Sequence, residues 1–283
     1  MIYIVCVSKP CDGLFYYSYE YCALLNDKGV PAKVLVVPHK MFTKQDYILS
    51  VDKKYIHCQN ILFDLDRPRQ SDIFLVMGRS MITLAFINFT DYDNNQKKLL
   101  RSVFSKKIIA VYSENHPIQY PQAIDFFKPQ AVCDLCDREV YPQGTGNHFE
   151  KRINFDIYKP IDECIEFEHL FLGTNKEYYS AAERLLNKYP DYGILAYRAD
   201  YANSALNNVF VPTDNLLGKF KKYVYCKEVF DPAPRIIQEC KYYSKSIKYE
   251  RNSSIVDGGS IYMNRQIVQP DINPIITAYD QIH

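Results

Sequence analysis

The sequence predicts an α/β protein built on doubly wound parallel sheets, and three observations predict it. Residues 2–7 (IYIVCV) form an unbroken apolar run rich in β-branched side chains, the pattern of a strand buried on both faces. A helical segment, residues 15–28, follows and is closed by Gly29. A second strand, residues 30–38 (VPAKVLVVP), comes next, and strand, helix, strand is how a doubly wound domain opens.

Further strands are expected at 60–64, 73–77 and 107–112. Three strands end in polar loops. The first runs into Ser8-Lys9-Pro10-Cys11-Asp12-Gly13, the strand at 73–77 into Gly78-Arg79-Ser80 before the segment 81–89, and the strand at 107–112 into Ser113-Glu114-Asn115-His116-Pro117. If the strands are parallel, all three loops lie at one sheet edge, where ligands of such sheets bind. Asp12, Gly13, Arg79, Ser80, Ser113, Glu114, Asn115 and His116 then make one wall of a candidate site. For each residue alone, the plain alternative is a solvated or helix-capping polar group.

A Gly/Pro-containing polar stretch, residues 139–151, precedes a second start, and a domain boundary is expected near 156–166. Residues 169–172 (HLFL) read as a strand entering Gly173-Thr174-Asn175, and 176–188 as a helix. Strand rhythm continues at 193–197 and 209–211, Asp257-Gly258-Gly259-Ser260 is a turn, and 274–282 is the last helix. The domains expected are 1–158 and 159–270, with 271–283 as a closing segment.

With 283 residues, 47% hydrophobic and 24% charged, the chain has the composition of an ordinary globular protein with a sizeable core. A net charge of +1 provides no global field toward nucleic acid or anionic membrane, so any DNA contact needs a local patch. Lys97, Lys98, Arg101, Lys106 and Lys107 are the candidate patch, with a solvated helix face as the plain reading. The nine cysteines are scattered and mostly embedded in apolar runs, which reads as small buried thiols in a reducing compartment. Cys133-x-x-Cys136 has no second pair at zinc spacing. No apolar run reaches the about 18 residues that span a bilayer, and no leader pattern opens the chain. A soluble, cytoplasmic monomer without membrane contact is the expectation. No G-x-G-x-x-G, G-x-x-x-x-G-K-[ST] or G-x-S-x-G occurs, which disfavours dinucleotide enzymes, P-loop NTPases and α/β-hydrolases.

The most informative stretch is residues 223–249, YVYCKEVFDPAPRIIQECKYYSKSIKY. Residues 223–225 and 247–249 read as strands around a short helix. Asp231 stands where the N-cap belongs, Pro232 at the first helical position and Pro234 within the first turn. Ile236, Ile237 and Cys240 give the helix an apolar side, and Arg235 and Glu239 occupy the other. A helix start beside an arginine suits a phosphate, and a carboxylate one turn deeper suits sugar hydroxyls.

Residues 231–241 (DPAPRIIQECK) resemble the donor-site helix of GT-B glycosyltransferases, and the chain is similar to the enzymes with which large phages glycosylate hydroxymethylated pyrimidines in DNA. The resemblance implies two Rossmann-like doubly wound domains facing a central cleft, with the closing segment returning to the first. It implies transfer from a nucleotide-sugar, a UDP-sugar, to a hydroxyl on double-stranded modified DNA, with no metal and no further cofactor. Gly173, Thr174, Asn175, Lys227, Asp231, Ala233 and Arg235 become the donor-phosphate residues, and Glu239 the ribose ligand. Asp12 and Glu114, then His116, are the general-base candidates of an inverting enzyme; a retaining one needs no such base. The paired-glutamate signature of many retaining members is absent, since Pro232 stands seven residues before Glu239. A transferase acting on a glycan or small molecule, and a non-catalytic nucleotide-binding α/β protein, remain the alternatives.

Overall fold

A computed structural model describes residues 1–10, 12–56, 60–86, 97, 107–113, 119–135, 148–150, 152–173, 188, 192–196, 216–226, 234–250 and 263–282. The chain divides into two compact units, Met1–Tyr158 with Gln269–His283, and Lys159–Val268. Both are α/β, and each holds a parallel sheet.

The first unit contains β1 (Ile2–Cys6), α1 (Gly13–Asp27), β2 (Ala32–Val36), α2 (Lys44–Lys54), β3 (Ile61–Leu62), β4 (Ile73–Met77), α3 (Gly78–Phe86), β5 (Lys107–Ser113), α4 (Gln119–Phe127), β6 (Ala131–Leu135) and β7 (His148–Phe149). Its strands lie in the order β3-β2-β1-β4-β5-β6-β7, all parallel. The first six strands follow the doubly wound order in which the chain turns from one side of β1 to the other. Every residue of β1 and β4 is buried, as their continuous apolar runs require.

Alternation sorts the strand residues between two faces. Tyr3, Val5 and Val7 pack with Phe74, Val76, Ile108 and Ala110 under Met81 and Leu84 of α3 and Tyr120 and Ala123 of α4. On the other face Ser18 of α1 donates to Met77 Sδ at 3.8 Å. Val111 and Cys133 extend the Met77 row, and Cys133 Sγ donates to the Pro274 carbonyl at 3.6 Å, which seats the last helix, α6 (Asn273–Ile282), there.

Helix α1 ends as the sequence expects. Gly29 adopts φ +78°, its N–H bonds the Asn26 carbonyl at 2.9 Å, and Val30 N–H bonds that of Leu25 at 2.9 Å. This paired closure needs a left-handed residue, which glycine adopts without strain.

The second unit contains β8 (Phe167–Gly173), β9 (Tyr192–Ala196), β10 (Phe220–Tyr225), α5 (Arg235–Tyr242) and β11 (Ser246–Tyr249). Its sheet runs β11-β10-β8-β9, again all parallel. Phe220, Tyr223 and Tyr225 of β10 and Leu170 of β8 pack under Ile237 and Cys240 of α5. Residues 176–187 and 209–211, where a helix and a strand are expected, lie outside the described residues.

The organising stretch is corrected at its start. Helix α5 begins at Arg235 with Pro234 as its N-cap residue, at φ −66° and ψ 106°, and no side chain caps it. Asp231 is therefore not the N-cap, nor Pro232 the first helical residue. Residues 231–233 lie outside the described residues; a residue before proline is disfavoured in the helical region, and only from Arg235 onward is the segment free of that restriction.

No helix among the described residues is long and apolar enough to cross a membrane.

Candidate functional site

The topology places candidate residues at two sheet edges, one in each unit. In the first unit the chain switches direction between β1 and β4, and the loops after both strands leave at the carboxyl edge. Asp12 caps α1, its Oδ1 accepting from Leu14 N–H at 3.1 Å. Arg79, the second residue of α3 and not part of the loop expected there, reaches the same carboxylate, with Nη1 4.0 Å from Oδ2; their side chains are 67% and 32% exposed. The edge thus joins two of the predicted wall residues, one capping α1 and one in the first turn of α3. Gly13 opens α1, and a Cβ there would meet nothing within 4 Å, so the position needs glycine neither for space nor for conformation.

Ser80 is not a wall residue. It is fully buried, and its Oγ accepts from Val7 N–H at 3.1 Å, tying the first turn of α3 to the end of β1. The physical reason is that α3 starts at Gly78, directly after β4, so its third residue turns inward over the sheet. Ser113 is the last residue of β5 and pairs with Leu135 of β6. Glu114, Asn115 and His116 lie outside the described residues.

Sequence reasoning missed what holds the β1 loop. Helix α2 sits behind it, and Tyr47 O–H donates to the Ser8 carbonyl at 2.7 Å while accepting from His39 N–H at 3.0 Å. Ser50 donates to the Pro10 carbonyl, and the Tyr16 hydroxyl lies 2.9 Å from Ser50 Oγ. The available signal was Thr43-x-x-Asp46: Thr43 Oγ1 accepts from Asp46 N–H at 3.4 Å, and Asp46 Oδ2 accepts from Thr43 N–H at 2.6 Å, a capping box that starts a helix.

Among the predicted basic residues, Lys107 is the first residue of β5 and so stands at the amino edge, opposite the candidate loops. Lys97 is helical, and Lys98, Arg101 and Lys106 lie outside the described residues. Cys133 is a core residue, its thiol pushed up to about 12 by burial first and by the charge of Asp134 second. Cys136 lies outside the described residues, and no metal-binding group of three His, Cys, Asp or Glu occurs among them.

In the second unit β8 and β10 are neighbours although β9 lies between them in sequence, so the switch point falls at their carboxyl ends. Gly173 ends β8, paired with Ala196 of β9. The chain leaves β10 at the same edge and reappears at Pro234 and Arg235, the start of α5. The predicted donor residues Thr174, Asn175, Lys227, Asp231 and Ala233 lie outside the described residues.

Arg235 and Glu239 are brought together more closely than the sequence reading requires. Arg235 Nε donates to Glu239 Oε1 at 2.7 Å across one helical turn, with side chains 11% and 7% exposed. This is a largely buried ion pair, and the second turn of α5 buries Gln238 and Glu239 as well as Ile237 and Cys240. The Cys240 thiol and the Tyr243 hydroxyl are both held well above their usual ranges, by burial first and by the Glu239 charge second.

Compared with protein-family models and with curated proteins, the chain matches none.

Proposed function

We propose that the protein is a glycosyltransferase of the GT-B kind, binding a UDP-sugar at the carboxyl edge of its second sheet. It moves the sugar to a hydroxyl, that of a hydroxymethylated pyrimidine in double-stranded DNA, without a metal. The observation that carries this reading is the order β11-β10-β8-β9, because it brings Gly173 and the α5 start with Arg235 to one switch point. A glycine strand end permits close backbone approach to a phosphate, and a helix start with an arginine favours the charge of a departing diphosphate. In the transfer the acceptor oxygen forms a bond to the anomeric carbon. The bond from that carbon to the phosphate oxygen breaks, UDP leaves with the electron pair, and the hydroxyl proton passes to a base.

The test is a screen of nucleotide sugars against hydroxymethylated duplex DNA, free hydroxymethylated nucleoside and unmodified DNA, with product mass as readout. The reading expects a hexose or pentose mass increment on modified DNA alone, with a rate that falls as salt rises. Product on the nucleoside only removes DNA from the proposal. No product from any pair, together with no calorimetric binding of UDP, removes the enzyme.

A further inference from the structure

We propose that Arg79 takes a backbone phosphate of the DNA duplex that carries the acceptor hydroxyl; this rests on the acceptor part of the reading above and names a contact that holds that acceptor. Arg79 is the second residue of α3, so its cation stands in the first turn of a helix, where the field of the aligned peptide dipoles is positive. A cation there is unfavourable for the helix. The neighbouring carboxylate offsets little of this. Asp12 Oδ2 lies 4.0 Å from Nη1, too far for a hydrogen bond, with the Arg79 side chain 67% exposed and that of Asp12 32%. Asp12 in turn is fixed by Leu14 N–H, which donates to its Oδ1 at 3.1 Å. Arg79 therefore serves neither the stability of α3 nor the cap of α1.

What the position offers is donors. Among the described residues no hydrogen bond engages the Arg79 guanidinium, and its one ion contact is the long one to Asp12. Five N–H groups in a planar, largely exposed fork suit the paired oxygens of a phosphate. The contact with Asp12 places Nη1 beside the cap of α1, at the carboxyl edge where the chain switches between β1 and β4. Lys9, on the β1 loop, adds a second positive charge to that edge. A net charge of +1 draws no duplex from a distance, so the contact has to be local, and Lys107 stands at the opposite edge. The Asp12 carboxylate by itself repels a phosphate; the guanidinium bridges the two anions and turns the repulsion into attraction. A phosphodiester carries no base identity, so Arg79 sets affinity and register on the duplex and leaves the choice of base to other residues.

Fluorescence anisotropy of the full chain with a labelled hydroxymethylated duplex and its unmodified counterpart, each over a range of potassium chloride, reads the contact without turnover. Arg79→Ala is expected to weaken both duplexes by one common factor, about tenfold, and to lower the slope of log K against log salt by about 0.9, the share of one phosphate. Arg79→Lys keeps the charge and with it the slope, while losing part of the affinity along with the fork. The melting temperature of Arg79→Ala stays at or above the wild-type value, since the cation does nothing for the helix. An unchanged slope, or a loss confined to the modified duplex, overturns the phosphate contact. A lower melting temperature in Arg79→Ala assigns the residue to the fold and overturns it too. Wild-type protein that binds a deoxynucleoside monophosphate but no duplex, or binds neither, removes DNA as the partner and the proposal with it. Failure of the transferase reading shows separately: a chain that passes these binding tests and transfers no sugar keeps the phosphate contact and loses the enzyme.

Discussion

Glu20 gives the sharpest stability prediction. It lies in α1, fully buried, and its Oε1 accepts from Tyr55 O–H at 2.7 Å and Tyr158 O–H at 2.9 Å. Tyr55 follows the last turn of α2, and the two tyrosines pair as an antiparallel bridge with rings 5.1 Å apart at 86°. One carboxyl oxygen thus ties α1, α2 and the end of the segment ahead of Lys159 in the first unit. Tyr158→Phe removes one donor and leaves the ring in place, at a cost of about 1–2 kcal/mol; Tyr55→Phe removes the other at similar cost. Because both donors serve the same oxygen, the two losses are coupled and do not act independently. The double variant therefore exceeds the sum by about 1 kcal/mol, reaching roughly 3–5 kcal/mol. Urea titrations followed by far-ultraviolet and tyrosine circular dichroism measure this in a chain with 25 tyrosines and no tryptophan. Single variants within about 0.3 kcal/mol of wild type, with a double variant equal to their sum, would refute the reasoning.

Asp12→Asn keeps an N-cap acceptor for Leu14 N–H and is expected to leave stability within about 0.5 kcal/mol, whereas Asp12→Ala loses about 1 kcal/mol. A turnover assay then separates cap from base: activity retained in Asp12→Asn removes Asp12 as the proton acceptor. Ser244 closes α5 at φ 56°, with Lys245 N–H bonded to the Cys240 carbonyl at 2.8 Å and its own N–H to that of Lys241 at 3.1 Å. Ser244→Gly relieves the left-handed strain and is expected to raise stability by about 0.5–1 kcal/mol, read as a higher melting temperature; a lower one contradicts it. Burial holds the Cys22 and Cys133 thiols up at about 12 against an ordinary 9.0, so their contribution to stability is whole below pH 9.0 and is lost as pH climbs toward 12. At pH 8 (about one unit below the ordinary thiol value), iodoacetamide with peptide mapping should mark exposed Cys164 well before either of them, and equal rates would contradict the packing.

The fold was legible where one force dominated. β1 and β4 carry no polar residue to compete with burial on both faces, and Gly29 marks the end of α1 because few other residues adopt its backbone angle cheaply. The missed elements are those whose signals compete. Helix α2 buries only Tyr47, Ser50 and Val51, so its apolar stripe is thin and its charged residues read as loop. Helix α4 carries Pro121 in its first turn, where the missing N–H has no partner to lose, yet the residue still resembles a breaker. β6 interrupts its apolar run with Asp134, which the fold nevertheless buries.

Helix α5 shows how far spacing alone reaches. Arg235 and Glu239 stand four residues apart, which places them on one helix face. The resemblance divides them between diphosphate and ribose, but the same spacing lets their ends meet, and at 2.7 Å they do. The pair is largely buried, so removing either partner alone leaves a lone charge there, at a cost of about 3–5 kcal/mol.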